Sequence, residues 1–146
     1  MREVECPVCG KRTLALRTGA GRHMKHRNME VTLPDDVAVP ECRTCGARPI
    51  DYRLAKKLDA VLERLWQQQL AITLAKDLEV LSEDRPLYQW EQLLGLSVGY
   101  LSKLKKAKRP SAQLVALVRL LANQPERRRE LERLWARGPR HGGVHG

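Results

Sequence analysis

Residues 90–110 have the sequence WEQLLGLSVGYLSKLKKAKRP, which predicts two short helices joined by a tight turn. Trp90, Leu93 and Leu94 form an apolar stripe on the first helix. Gly95 follows at the point where the chain must reverse, and glycine is favoured there because a helix commonly ends on a left-handed residue. The stretch therefore predicts a helix, a turn and a second helix.

The second helix is predicted over residues 98–106, with Ser97 as its N-cap. Leu101 and Leu104 lie three residues apart and should face inward. Small, polar and basic residues then remain on the outer side or directly after the helix. The candidate DNA contacts are Ser97, Val98, Gly99, Tyr100, Ser102, Lys103, Lys105, Lys106, Lys108 and Arg109.

This layout is typical of a helix-turn-helix, in which the second helix enters the major groove of DNA. Lys103 can donate to guanine O6 and N7, Val98 can contact a thymine methyl group, and the small Gly99 and Ser102 permit close approach. The later cations suit phosphates, which supply affinity but no sequence information. Tyr100 fits a phosphate contact and packing on the neighbouring helix equally well. The alternative is an ordinary helical bundle with a basic surface.

Four cysteines occur in two copies of one pattern, CPVCG at residues 6–10 and CRTCG at residues 42–46. Two residues between the cysteines let a tight turn aim both thiolates at one ion, and the glycine supplies the positive φ of that turn. Four sulfur ligands favour a single structural zinc ion per chain, which a segment of about 50 residues with few large apolar side chains needs in order to fold. The predicted ligands are Cys6, Cys9, Cys42 and Cys45.

Two other uses of these cysteines are also compatible with the sequence. The first is a redox dithiol or a set of buried free thiols, although a redox pair needs only one such motif. The second is a rival ligand set in which His23 and His26 join Cys6 and Cys9, although histidines this close are tighter than the usual zinc-finger spacing. Surface histidines on a basic loop are the simpler interpretation.

The remaining sequence divides at about residue 50 from strand-like to helical patterns. Alternating apolar residues bounded by turns predict short strands at residues 13–17, 29–33 and 37–39. Asp51 is an expected N-cap for a helix that continues through Leu81 and is interrupted at residues 82–86. Further helices are predicted at residues 86–94, 112–123 and 126–136.

The charge balance favours a polyanionic partner. Lys and Arg total 27 against 17 Asp and Glu, a formal net charge of +10, although a basic surface also serves solubility alone. No apolar stretch approaches the roughly 18 residues of a membrane span, and the start of the chain lacks the apolar core of a signal peptide. We therefore expect a cytoplasmic protein with no membrane partner.

The chain resembles the MqsA-type antitoxins, also described as YgiT-type zinc finger/helix-turn-helix proteins. The resemblance covers nearly the whole chain: CPVCG near the start, CRTCG, a linking helix, GLSVGYLSKLKKAKRP and the closing segments LVALVRLL and PER. Gly99 and Lys103 match two base-contacting positions, where the antitoxin has Asn and Arg, so its operator sequence does not transfer. Glu91 stands where a small buried residue is common.

The resemblance implies a homodimer that binds a palindromic operator in double-stranded DNA through its C-terminal domain and represses its own operon. It also implies that the N-terminal domain binds and neutralises a toxin. The predicted fold is mainly α with a small β-containing zinc module: a zinc-ribbon-like four-cysteine domain, a long linking helix and a lambda-repressor-like helix-turn-helix bundle. The predicted boundaries are 1–50 for the zinc domain, 51–70 for the linking helix, 71–137 for the DNA-binding domain and 138–146 for a disordered tail.

Two other functions compete with a repressor. One is an adaptor whose zinc module binds a partner protein while the basic domain binds nucleic acid non-specifically, and RNA binding is a weaker variant because aromatic residues are few (three Trp, three Tyr, no Phe). The other is an enzyme, which we do not expect because the sequence offers no nucleophile–base pair, phosphate loop or open metal site.

Overall fold

The computed structural model describes residues 2–106 and 109–137, so Lys108 and the tail predicted over 138–146 lie outside the described residues. The described part is a mixed α/β structure with five helices and two small antiparallel sheets, and it divides between Trp66 and Gln67 into two compact units. Its elements are β1 (Leu14–Arg17), β2 (His23–His26), β3 (Met29–Thr32), β4 (Val39–Cys42), α1 (Tyr52–Asp84), α2 (Leu87–Leu94), α3 (Tyr100–Lys106), α4 (Ala112–Asn123) and α5 (Pro125–Arg137).

The first unit is built on two antiparallel strand pairs. β1 pairs with β4 so that Leu14 lies opposite Cys42. Val4, just before the first cysteine pattern, forms an isolated β-bridge with Leu14. Each cysteine pattern, residues 6–10 and 42–46, is called a knuckle below. β2 and β3 form a hairpin around a two-residue turn, in which Arg27 has a φ of 51°. The β1–β4 pairing brings the two cysteine patterns to the same end of this unit.

The tip of the β2–β3 hairpin packs on the first half of α1. The Trp66 indole N–H donates to Asn28 Oδ1 at 2.8 Å, and the Arg27 guanidinium lies 4.8 Å from the centre of the Trp66 ring. His26 Nε2 and Arg27 Nε lie 2.9 and 2.8 Å from Glu63 Oε1. With Leu58 and Leu62 buried on the same helix, these contacts join residues 52–66 to the hairpin.

The second unit packs five helical segments around one apolar core. Trp90 on α2 is fully buried, and its indole N–H donates to the Leu81 carbonyl at the end of α1 at 2.9 Å. α2 packs on α3 and α5, and α4 packs on α5. The core residues are Leu70, Leu74, Leu78, Leu81, Trp90, Leu101, Val115, Val118, Leu121 and Ala122.

Polar contacts link the helices of this unit at its edges. The buried carboxylate of Asp77 on α1 pairs with Arg119 on α4, with both oxygens 3.3 Å from Nη1. Arg85 pairs with Glu132 on α5 and lies 4.8 Å from the Trp90 ring centre. Arg128 donates to the carbonyls of Leu121 and Ala122, which α4 leaves unpaired at its end.

Several boundaries differ from the sequence prediction. Residues 23–26 form β2 rather than a basic loop, because the register opposite β3 pairs their backbone. The third predicted strand lies at 39–42 instead of 37–39, opposite β1. α1 continues to Asp84, since the Ser82 hydroxyl donates to the Glu79 carbonyl at 2.8 Å and is accommodated within the helix. The predicted N-cap of α1 is confirmed, because Asp51 Oδ1 accepts from the Leu54 N–H at 2.8 Å.

Candidate metal centre and nucleic-acid interface

The two cysteine patterns form turns with matching backbone hydrogen bonds. The N–H of Gly10 donates to the Cys6 carbonyl at 2.8 Å, and the N–H of Gly46 donates to the Cys42 carbonyl at the same distance. Both glycines have a positive φ, 77° and 75°, which side-chain-bearing residues rarely adopt. The sequence pattern predicted this local geometry.

The four sulfur atoms form one cluster. All lie within 4.8 Å of one another, with Cys6 Sγ 3.7 Å from Cys45 Sγ and Cys9 Sγ 3.6 Å from Cys42 Sγ. Sulfurs placed about 2.3 Å from a central ion at tetrahedral corners are separated by about 3.8 Å, close to these values. The cysteines form no disulfide, and Cys6 and Cys42 are completely buried. The cluster can therefore hold one metal ion.

Hydrogen bonds and neighbouring sulfurs shift the pKa values of Cys42 and Cys45 in opposite directions. The Thr13 hydroxyl lies 3.0 Å from Cys42 Sγ, and this hydrogen bond is the chief reason that the pKa of Cys42 falls to about 5. A backbone hydrogen bond from Ala47 lowers the pKa of Cys45, but desolvation and the neighbouring sulfurs outweigh it and raise that pKa to about 11. A cation bound between the sulfurs would lower the pKa of Cys45 again, because metal coordination deprotonates thiols.

The rival ligand set with two histidines does not assemble among the described residues. His23 Nδ1 is 3.1 Å from the Thr32 hydroxyl, and His26 Nε2 is bound to Glu63. The described residues bring only Cys6, Cys9, Cys42 and Cys45 together as a candidate metal site.

α2 ends at the predicted glycine. Gly95 has a φ of 71° and a ψ of 28°, a left-handed conformation. Its N–H donates to the Gln92 carbonyl at 3.2 Å, and the N–H of Leu96 donates to the Glu91 carbonyl at 2.8 Å. This pair of bonds is a Schellman motif, which satisfies carbonyls at the end of α2 and reverses the chain.

The start of α3 depends on a residue of α2. The buried carboxylate of Glu91 accepts the N–H of Gly99 at 2.9 Å through Oε1 and the N–H of Leu101 at 2.8 Å through Oε2. α3 begins at Tyr100 instead of position 98, because Gly99 has a φ of 84°. The prediction that Ser97 supplies the N-cap is therefore wrong, and Glu91 occupies that role.

The structure places most candidate DNA contacts on the surface of the second unit. Leu101 is fully buried as predicted, Leu104 is half-buried, and Gly99 lies in the turn before α3 instead of on its outer face. Lys103, Lys105, Lys106 and Arg109 form no ion pair within the part of the chain that the structure describes. The exposed candidates are Ser97, Val98, Tyr100, Ser102, Lys103, Lys105, Lys106 and Arg109.

Sequence reasoning missed two residues that support these sites. Thr13 contacts Cys42 from the residue just before β1, about thirty positions away along the chain, and no local pattern marks it. Glu91 does carry a signal, since it is a charged residue directly beside the buried Trp90 on a short amphipathic helix. A buried carboxylate needs hydrogen-bond donors to offset its desolvation, and the backbone N–H groups of the turn that follows α2 can supply them.

Neither a membrane-spanning helix nor a known relative is found for the described part of this chain. No helix in the described part of the chain has the length and apolar character needed to cross a membrane. The chain matches no protein-family model, no curated protein and no solved structure. The resemblance to the MqsA-type antitoxins therefore stays a prediction.

Proposed function

We propose that this protein is a sequence-specific DNA-binding transcriptional repressor in which α3 enters the major groove. The observation that carries the proposal is the α2–turn–α3 unit, in which buried Leu101 anchors α3 while the exposed side is basic. Helix-turn-helix proteins present their second helix to base edges through a preceding helix and a tight turn in the same way. The net charge of +10 also favours a polyanionic partner.

The exposed side chains form two groups, one suited to base edges and one suited to phosphates. Lys103 can donate to guanine O6 and N7, and Val98, which is 80% exposed, can meet a thymine methyl group. Lys105, Lys106 and Arg109 suit phosphate contacts, because each is exposed and unpaired within the described residues. A helix of seven residues contacts few base pairs, so two copies are expected to bind a palindromic site.

We assign one structural zinc ion per chain to the cysteine cluster. Thiolate ligands favour zinc over magnesium or calcium, and the sulfur separations of 3.6 and 3.7 Å suit a tetrahedral ion. Cys6, Cys9, Cys42 and Cys45 would fill every position, which leaves none for a reacting water. The ion would stabilise the first unit by joining β1 and β4 to the two knuckles.

Replacing Lys103 by alanine should weaken binding to the operator by about 1–3 kcal/mol and spare binding to scrambled DNA, because Lys103 is assigned to a base edge. Fluorescence anisotropy on the DNA upstream of the gene and on a scrambled duplex, at two salt concentrations, measures this. The matched control is Lys106→Ala, which should weaken both duplexes alike and lower the salt slope by about 1. Equal losses on both duplexes for Lys103→Ala would show that this residue does not contact bases.

A second candidate function is binding of a partner protein by the first unit. A specific observation favours it: Leu16 and Val4 are half-exposed on an open apolar groove of about 640 Å³ within this unit. Contiguous apolar surface of this kind marks protein interfaces. The resemblance to antitoxins implies that a toxin binds the corresponding domain. The groove is lined mainly by Val4, Pro7, Leu16, Pro40, Ile50 and Leu54.

Replacing Leu16 by aspartate should abolish capture of the protein encoded by the neighbouring gene and leave zinc content unchanged. Capture should fail because Leu16 is 50% exposed and a charge at this position disrupts the apolar groove. Zinc content should stay the same because Leu16 is not one of the four cysteine ligands. A pull-down with the zinc-loaded chain measures capture, and Ile72→Asp, at a 56% exposed position of the second unit outside the groove lining, is the control. If both variants capture the partner equally, the groove is not its binding site.

A further inference from the structure

The four cysteines of the cluster differ in how far they are exposed to solvent. Cys6 and Cys42 are completely buried. Cys9 is partly buried, whereas Cys45 is exposed. Oxidants attack accessible thiolates, and cysteines buried in the interior of a protein are inert by comparison. Cys45 is therefore the cysteine of this cluster that a small dissolved oxidant reaches first.

Cys45 has a second sulfur within reach in the other knuckle. Its Sγ lies 3.7 Å from Cys6 Sγ, although the two residues are 39 positions apart in the sequence. A disulfide bond is about 2.05 Å long, so the two sulfurs need to approach each other by only about 1.7 Å. Cysteines that sense oxidants have this arrangement, in which an accessible thiolate lies beside a second cysteine that resolves it.

The other cysteine of the same knuckle is less available to Cys45. Cys42 Sγ is 3.0 Å from the Thr13 hydroxyl, and Thr13 Oγ1 accepts a hydrogen bond from Thr44 Oγ1 at 2.8 Å. The hydrogen of the Thr13 hydroxyl is then left to bind Cys42 Sγ, which holds this sulfur in place. Cys9 Sγ also lies 3.6 Å from Cys42 Sγ. These short sulfur–sulfur contacts cross from one knuckle to the other.

We propose that Cys45 is a peroxide-reactive thiolate and that it forms a reversible disulfide with Cys6, which takes two of the four ligands from the metal site. The inference rests on the zinc ion assigned above and goes beyond it, since it gives the cluster a regulatory chemistry. The oxidant class is a peroxide, and hydrogen peroxide is small and uncharged, so it needs no binding pocket to reach an exposed sulfur.

The reaction consumes one peroxide for each disulfide. The Cys45 thiolate attacks one oxygen of hydrogen peroxide, the O–O bond breaks, and a sulfenic acid and a hydroxide ion form. The Cys6 thiolate then attacks the Cys45 sulfur, so that the S–S bond forms, the S–O bond breaks and a second hydroxide leaves. Two electrons pass from the two sulfurs to the peroxide oxygens, and two protons from the solvent convert the hydroxides to water.

Oxidation at this pair leaves only Cys9 and Cys42 as thiolate ligands. Structural zinc sites have four protein ligands, so two cannot hold the ion tightly. Cys9 and Cys42, with their sulfurs 3.6 Å apart, can form a second disulfide by the same chemistry. The knuckles are then cross-linked where the metal joined them, and a thiol reductant with zinc can restore the reduced site by disulfide exchange.

The test is the oxidation of the zinc-loaded full chain by hydrogen peroxide. A chromophoric chelator measures the zinc released, and mass spectrometry of unreduced peptides identifies the disulfides formed early in the reaction. The wild type should release its zinc, recover it after treatment with a thiol reductant and zinc, and form the Cys6–Cys45 disulfide first. A first disulfide within one knuckle, or zinc release with no disulfide, would overturn the inference.

Histidine variants separate the reactive sulfur from its role as a ligand, because three cysteines and one histidine also make a structural zinc site. Cys45→His should retain one zinc per chain and release it at least about 10-fold more slowly in peroxide than the wild type. Cys9→His is the matched control, since it has the same type of ligand set and keeps Cys6 and Cys45, and it should release zinc at about the wild-type rate. Equal release rates for the two variants would contradict the role of Cys45. If either variant fails to bind zinc, the disulfides of the wild type decide the question alone.

Failure of the zinc assignment and failure of the peroxide reaction give different results. A reduced chain that cannot be loaded with zinc would remove the metal assignment and, with it, the regulation of that site. A zinc-loaded chain that keeps its metal and its four thiols, under peroxide treatment that oxidises free cysteine, would retain the structural zinc and exclude the peroxide reaction.

Discussion

Replacing Cys42 by serine should abolish tight zinc binding and unfold the first unit, while the helices of residues 67–137 keep their structure. The buried cluster beside the four cysteines contains only Cys6, Leu14 and Cys42, which is too small to hold β1, β4 and the two CxxCG turns together without a metal. Structural zinc contributes on the order of 10–16 kcal/mol in comparable sites, so losing one thiolate removes the main source of stability.

Zinc content by mass spectrometry and the visible spectrum of the Co²⁺-loaded chain measure the site. Loss of dispersed amide signals from β1–β4 measures unfolding of the first unit. The matched control is Thr13→Val, which removes the hydroxyl 3.0 Å from Cys42 Sγ but keeps all four ligands. It should retain one zinc per chain with about 10–100-fold lower affinity, as expected for a hydrogen-bonding neighbour of a ligand. A Cys42→Ser chain with one tightly bound zinc and an unchanged amide spectrum would refute the assignment.

The second large effect is expected at Glu91. Replacing it by alanine should destabilise the second unit by about 2–4 kcal/mol, because two backbone N–H groups, those of Gly99 and Leu101, lose their acceptors. Glu91→Gln should cost less, about 1–2 kcal/mol, since the amide keeps one oxygen acceptor. Both changes should weaken operator binding as well, because they release the start of α3 from α2.

Urea denaturation followed by circular dichroism measures the stability of each variant. Hydrogen exchange at the Gly99 and Leu101 amides reports directly on the two bonds. Gln92→Ala is the control, since Gln92 is the exposed neighbour on α2 and its loss should change stability by less than about 0.5 kcal/mol. The role assigned to Glu91 is excluded if Glu91→Ala matches this control in both measurements.

The two units of the protein have different sources of stability. The first depends on a cysteine cluster and on a hairpin held to α1 through Trp66. The second depends on an apolar core around Trp90 and on one buried carboxylate. Zinc loss should therefore act on the first unit selectively, whereas Glu91 variants should act on the unit to which DNA binding is assigned.

Local features were predictable wherever the physical cause lies within a few residues. The CxxCG turns follow from cysteine spacing and a glycine of positive φ, and the Schellman motif follows from Gly95 after an apolar stripe. Asp51 caps α1 because its side chain reaches an N–H three residues ahead. The strand within residues 29–33 and the inward position of Leu101 follow from side-chain periodicity.

The sequence by itself therefore determined the four-cysteine pattern, the ends of several helices and which faces are apolar, since these depend on hydrogen bonds and periodicity within one or two turns. The tertiary structure alone decided that His26 pairs with Glu63 instead of a metal, that Thr13 supports Cys42 and that Glu91 caps α3. Glu63 and Cys42 lie 37 and 29 positions from their partners, and Glu91 satisfies N–H groups in the next helix. Such polar side chains have several possible partners, and only the packing of distant segments selects among them.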